Sequence, residues 1–310
     1  MAIMKLQILI TALLALSAMT AQAQLQGSRS VTFETATTNG ISLTLSADLF
    51  EPAVPASVAV VLLHSSGGIN NHVQGHYGRE FSASGHLVLA VDSFRPRGII
   101  RTTDDQSQVG SIDMALDGIY ARKYLAKTYP GVKKFVVMGF SKGGLAAMFL
   151  ADKTFHPKES ERFDGHVAVY PACGFRARNP KPVGSLLMLL GDKDEYTGLE
   201  PCKQWAAEFE KAGGKADITV FADAYHSFDG APELTTPRYL PFAESFARCL
   251  VHVEDDGQWN YRGRLYPAQL ATYADLSKTC VKRGASVGTN LKAKSDATEA
   301  VKQYLTRIEK

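Results

Sequence analysis

Val136-Val137-Met138-Gly139-Phe140-Ser141-Lys142-Gly143-Gly144 is the stretch on which the reading of this chain turns. An apolar run meets Gly-x-Ser-x-Gly, and a segment rich in Ala and Leu follows. That is the layout of a strand that turns sharply into a helix. A serine held on such a turn projects its hydroxyl above the edge of a sheet. Gly139 and Gly143 flank it because side chains there would strike neighbouring backbone. The helix opens at the serine, so its first N–H groups favour negative charge developing beside the hydroxyl. Gly-x-Ser-x-Gly alone also occurs in glycine-rich loops, and the strand before and helix after it set this one apart.

A serine hydroxyl is a weak nucleophile until a base takes its proton, and that base must itself be oriented. With this turn, the partners follow the serine in the order carboxylate, then histidine. Downstream, Leu186 to Leu190 runs into Gly191-Asp192-Lys193-Asp194-Glu195, which puts carboxylates past the end of a strand. Asp192 and Asp194 qualify equally by position, and either could instead cap the next helix. Ile218 to Phe221 leads into Ala224-Tyr225-His226-Ser227-Phe228, so His226 follows the last expected strand of the sheet. An oxyanion needs donors: the backbone N–H of Lys142, and a second from the loop after an earlier strand. Leu62-Leu63-His64-Ser65-Ser66-Gly67-Gly68 supplies that loop, with Ser66 the expected donor and Ser65 next. His64 lies upstream of the serine and is expected to support the loop.

Outward from this centre, strand-like and helix-like segments alternate. Val31 to Thr37 and Ile41 to Leu49 flank Asn39-Gly40, a strong hairpin signal. Val58 to Leu63, Leu87 to Val91, Lys134 to Phe140 and His166 to Tyr170 are apolar runs suited to burial on both faces. Helices are expected over Ser111 to Tyr129, Gly143 to Asp152, Leu199 to Ala212 and Pro237 to Val253. An opening hairpin followed by repeated strand–helix units predicts an α/β domain: a mostly parallel sheet with helices on both faces. That domain runs over 24–254. Residues 255–310 read as an extension packed on or trailing from it, ending in a surface helix from Asp296 to Ile308.

The N-terminus has its own pattern. A weakly basic start, an apolar run from Leu6 to Met19 and then Ala21-Gln22-Ala23 predict a secretory signal peptide over 1–23. The apolar run falls short of the roughly 20 residues that a spanning helix needs, and no cysteine follows it as a lipid anchor would require. The expected product is exported, periplasmic or secreted, with no membrane anchor after cleavage. All four cysteines, Cys173, Cys202, Cys249 and Cys280, lie beyond the signal and suggest pairing in an oxidising space. Sequential pairs, Cys173 with Cys202 and Cys249 with Cys280, suit two neighbouring loops and a C-terminal tie-down. Composition is ordinary for a globular chain, 45% apolar and 21% charged, and a net charge of +3 gives no case for nucleic acid.

Weaker signals remain. Arg95 and Arg97 follow a strand and could meet a substrate carboxylate or simply hold their loop. His72 and His76 have metal-pair spacing, but Gly75 between them disfavours a helix and no acidic or thiol ligand completes a set, so no metal site is expected. Neither a Walker motif nor a dinucleotide fingerprint is present, so no cofactor is implied.

The loop His64-Ser65-Ser66-Gly67-Gly68, the segment Val91-Asp92-Ser93-Phe94-Arg95-Pro96-Arg97-Gly98, the serine turn, Gly191-x-x-Asp194 and His226-Ser227-Phe228 together resemble the dienelactone hydrolase family. The likeness runs from about Val31 to Val253. It implies the α/β-hydrolase fold, and it favours Asp194 over Asp192, because the family's acid ends the Gly-x-x-Asp pattern. Dienelactone hydrolases proper carry a cysteine nucleophile where this chain has Ser141. The resemblance therefore implies an exported serine hydrolase acting on a small-molecule carboxylic ester or lactone, with Ser141, Asp194 and His226 as its triad. Two alternatives stand beside it: a peptide or amide hydrolase of the prolyl-oligopeptidase type, and a non-catalytic binding protein.

Overall fold

The computed structural model describes residues 24–156 and 162–310, and the signal-peptide reading of 1–23 lies outside them. Fourteen strands are assigned among the described residues: β1 (Arg29–Ala36), β2 (Ser42–Phe50), β3 (Val58–Leu63), β4 (Leu87–Asp92), β5 (Lys134–Phe140), β6 (Gly165–Val169), β7 (Phe175–Ala177), β8 (Ser185–Gly191), β9 (Lys215–Phe221), β10 (Arg238–Ser245), β11 (Val251–Val253), β12 (Trp259–Tyr261), β13 (Arg264–Tyr266) and β14 (Lys282–Val287). The helices are α1 (Gln74–Ala83), α2 (Ser111–Thr128), α3 (Lys142–Leu150), α4 (Leu199–Lys211), α5 (Gln269–Thr279) and α6 (Leu291–Glu309).

Eight strands form the main sheet in the order β1-β2-β4-β3-β5-β6-β8-β9. β1 and β2 make the expected antiparallel hairpin, with Ala36 opposite Ser42 and Gly40 at φ 79° in its turn. β2 also runs antiparallel to β4, and every later pairing in this sheet is parallel. This is the α/β-hydrolase fold. The central strands are apolar throughout because both of their faces are covered. Ala59, Val61 and Leu63 of β3 enter one core with α2 and α3, while Val58, Val60 and Leu62 enter the opposite core with α1 and α6.

The helix expected over Pro237 to Val253 does not form. Arg238–Ser245 is instead strand β10, paired antiparallel with β14, and Val251–Val253 joins β7, β12 and β13 in a second small sheet. Pro241 lacks the donor that a helix interior needs. It sits where the β10–β14 register shifts between Leu240 and Glu244, a position in a ladder where proline is tolerated. The C-terminal helix starts earlier than expected, capped by Asn290, whose side chain accepts from Ala293 N at 3.0 Å. It buries Ala293, Ala297, Val301, Tyr304 and Leu305. Helices α1 and α5 were not anticipated.

The cysteines join as the sequence suggested. Cys173 bonds Cys202 with Cα atoms 4.9 Å apart, and Cys249 bonds Cys280 at 5.2 Å. The second bridge ties the segment after β10 to the residue after α5, just ahead of β14. The small β10–β14 sheet, whose Ala243 and Ala285 pack with Tyr196, therefore has its two strands stapled together. Among the described residues, no helix is long and apolar enough to cross a membrane.

Candidate active site

Ser141 stands between the end of β5 and the first residue of α3, at φ 53° and ψ −110°. Its N–H donates to Val169 O at 2.9 Å, which fixes the turn against β6. A Cβ on Gly139 would collide with Gly143 O, and one on Gly143 with the carbonyls of Leu63 and His64. Only glycine fits at either place.

Above the C-terminal ends of the strands, Ser141 Oγ lies 2.9 Å from His226 Nε2, and His226 Nδ1 lies 2.8 Å from Asp194 Oδ2. Asp194 follows β8 and is buried, whereas Asp192, two residues before it, is exposed. The Asp194 carboxylate is well supplied with donors: Tyr196 N at 2.9 Å, Thr197 N at 3.0 Å and Thr197 Oγ1 at 2.8 Å. Burial alone would raise this carboxyl. The facing His226 imidazole and the bonds from His226 and Thr197 outweigh that and hold it below the ordinary value. The His226 ring touches two tyrosine rings at a tilt, Tyr170 at 4.7 Å and Tyr196 at 4.6 Å. Its carbonyl accepts from Gly288 N at 3.1 Å, and it forms a parallel bridge with Val287, so β14 steadies the loop that carries the imidazole.

The expected oxyanion donors border the same space. Lys142 offers its N–H from the first position of α3, and Ser66 lies in the loop after β3, with Ser66 O accepting from Thr102 N at 2.8 Å. Ser66 Oγ is engaged with the Gln106 side chain at 2.9–3.0 Å, so its backbone N–H is the group available to an oxyanion. The Lys142 side chain turns away into the protein and donates to Gln106 O at 3.0 Å and Val109 O at 2.5 Å. Its ammonium is pushed down to about 7 by burial. His64 is buried, and burial lowers its pKa. Nε2 accepts from Ser93 N at 3.1 Å, so Nδ1 carries the proton and donates to Ser65 O at 2.8 Å. That imidazole braces the loop.

Arg95 and Arg97 are not brought to Ser141. Arg95 pairs with Asp92 at 3.2 Å, and Arg97 grips buried Asp117 with two bonds of 2.8 and 2.9 Å. His76 lies in α1 and meets Thr298 Oγ1 at 3.0 Å, with His72 exposed just ahead of that helix. Among the described residues, no group of three or more His, Cys, Asp or Glu side chains is placed to hold a metal.

Two cavities meet at Ser141, and Ser66 and Tyr196 line both. One, of about 290 Å³, is bounded by Tyr170, His226, Leu234, Leu240 and Val287. The other, of about 40 Å³, is bounded by Lys142, Leu145, Phe175, Phe246 and Tyr273. A larger hollow of about 460 Å³ lies where the chain enters β3 and β5, between Glu51–Ala56 and Thr128–Val132; among the described residues no Ser, Cys or His lines it, and its Glu51 carboxylate accepts from Arg29 Nε at 2.7 Å and Tyr129 Oη at 2.8 Å. Sequence reading missed Tyr196, Gln106 and Glu244; the last lines the small cavity and accepts from Gln106 N at 2.9 Å. Tyr196 had a local signal, standing two residues after Asp194, but Gln106 and Glu244 come from segments without a pattern.

The model of the dienelactone hydrolase family matches residues 45–235. Comparison with curated proteins gives no match. Among solved structures, the apo form of Thermogutta terrifontis esterase 2 is similar, with a TM-score of 0.53 and 17% identity over 67% of this chain and 88% of that one. The butyrate-bound structure of the thermophilic esterase from the same organism gives a TM-score of 0.51 at 17% identity, covering 67% and 87%. At such identity the likeness is one of fold.

Proposed function

The chain belongs to the dienelactone hydrolase family and is a carboxylic ester hydrolase, and from that premise we propose that Ser141, His226 and Asp194 carry the reaction in an exported enzyme. The observation that carries the reading is the unbroken relay of 2.9 and 2.8 Å from Ser141 Oγ through the imidazole to Asp194.

His226 Nε2 takes the Ser141 proton as Oγ attacks the ester carbonyl carbon. The carbonyl oxygen becomes an oxyanion held by the N–H of Lys142 and the N–H at Ser66. Asp194 keeps the Nδ1 proton facing it and stabilises the imidazolium. When the carbon–oxygen bond breaks, Nε2 returns its proton to the leaving alcohol, and an acyl-Ser141 remains. His226 then draws a proton from water, whose oxygen attacks the acyl carbon, and Ser141 leaves with that proton while the acid departs. With a lactone, alcohol and acid stay in one hydroxy acid. Two disulfides favour an oxidising compartment and so support export.

Hydrolysis of p-nitrophenyl acetate by wild type and Ser141→Ala, with folding compared by circular dichroism, tests the reading. Turnover confined to the wild type is expected. Equal turnover in both, or none in either, would refute it.

A further inference from the structure

The two cavities at Ser141 share Ser66, Ser141 and Tyr196 and otherwise have different walls. His226 lines the 290 Å³ cavity and is absent from the walls of the 40 Å³ one. The imidazole that accepts the Ser141 proton must deliver it to the departing oxygen, so the alcohol has to sit where His226 reaches it. The acyl substituent then falls in the other cavity, against Lys142 and Leu145 in the first turn of α3.

From this asymmetry we infer that the enzyme selects esters of a short acyl group, acetyl or propionyl, joined to a bulky alcohol. The inference rests on the ester-hydrolase reading given above. About 10–15 Å³ of such space holds one water-sized group, so about 40 Å³ holds about three. Ser66 and Lys142 line this cavity, so the carbonyl oxygen takes one share; acetyl then fits with room, propionyl fills it and butyryl exceeds it.

The small cavity is closed by aromatic rings. Phe246 lies 6.2 Å from the Phe175 ring and 5.2 Å from the Tyr273 ring. Phe175 belongs to β7, Tyr273 to α5, and Phe246 stands three residues before the bridged Cys249. Each ring is thus held by separate secondary structure or a covalent tie, and a longer acyl chain would have to displace one of them. The larger cavity is bounded by Leu234 and Leu240 and has space for a ring system.

The test measures kcat/KM for p-nitrophenyl acetate, butyrate and octanoate, which share one leaving group, in wild type, Phe246→Ala and Leu234→Ala. Wild type is expected to prefer acetate over butyrate by at least about tenfold, the discrimination that a tight pocket gives per added methylene. Phe246→Ala should shrink that ratio at least fivefold through a gain on butyrate, and Leu234→Ala should leave it unchanged. Butyrate turned over as well as acetate by wild type would overturn the inference while leaving the ester reading intact. So would an acyl ratio that moves in Leu234→Ala and not in Phe246→Ala. Absence of Ser141-dependent turnover on every ester would overturn both. The wild-type ratio decides even if Phe246→Ala fails to fold.

Discussion

Replacing Ser141 by alanine and by glycine should give two inactive proteins whose stabilities fall in an unusual order. Both changes delete Oγ and its 2.9 Å bond to His226 Nε2, so the comparison isolates one atom, the Cβ. At φ 53° and ψ −110° a side-chain-bearing residue carries strain of about 1–3 kcal/mol. Glycine releases it, and alanine keeps it. Against that gain stands the extra freedom that glycine gives the unfolded chain, about 0.5–1 kcal/mol. Ser141→Gly should therefore exceed Ser141→Ala by about 0.5–2 kcal/mol. At roughly 2 °C per kcal/mol for a domain of this size, that is about 1–4 °C in Tm. Thermal and urea unfolding at pH 7, followed by circular dichroism, read the difference. In an ordinary helix the order is reversed, glycine being worse by about 1 kcal/mol, so the sign decides. An alanine variant as stable as the glycine variant, or more so, would refute the account of a strained turn.

Asp194→Asn should lower kcat/KM by about 10³–10⁴, because an amide cannot hold the imidazole in its productive tautomer, while exposed Asp192→Asn should stay within about twofold. Because the Asp194 carboxyl lies below its ordinary value, it contributes stability above about pH 4 that is lost as pH falls through the folded value. The urea stability gap between wild type and Asp194→Asn should accordingly close in acid. Lys142, pushed down to about 7, has released its proton in the folded protein between that pH and about 10.5 while the unfolded chain still holds one. This residue therefore makes stability rise with pH across that window, and Lys142→Met should flatten the rise between urea titrations at pH 7 and pH 10. Removing the second bridge with Cys249→Ser and Cys280→Ser should cost about 3–4 kcal/mol by urea unfolding.

The main sheet was legible because its central strands are covered on both faces, and residues such as Val58 to Leu63 have to be apolar without interruption. The serine turn was legible because steric demand at Gly139 and Gly143 leaves no other residue type. Asp192 and Asp194 were not separable from position, since both follow β8. The family resemblance favours Asp194, and the fold supplies the physical reason: Asp194 faces His226, whereas Asp192 is exposed. β10 was misread because its partner β14 lies some 40 residues further on and leaves no local trace, although Pro241 argued against a helix. α1 was hidden by Gly75 and Gly78, which look like helix breakers. Gly78 is in fact where the helix approaches the Phe50 ring too closely for any Cβ. The small cavity draws on residues from Ser66 to Tyr273, and no window of sequence contains it.

The bridge between His226 and Val287, with the β10–β14 sheet above it, bears on how the molecule comes into being. All three reacting side chains have left the ribosome once residue 226 has emerged, but the strand that steadies the histidine spans 282–287, and α6 ends at Glu309. Domains take shape as the chain lengthens from its N-terminus, so the sheet can gather around its apolar strands well before the hydrolytic centre has a roof. One face of that sheet still waits for α6, whose Ala293, Ala297, Val301, Tyr304 and Leu305 share a core with Val58, Val60 and Leu62, so a nascent or prematurely ended chain is expected to be incompletely packed as well as idle. Trimming from the C-terminus reaches α6 before β14, so it should cost core packing and activity together, which makes activity a sensitive witness to an intact tail.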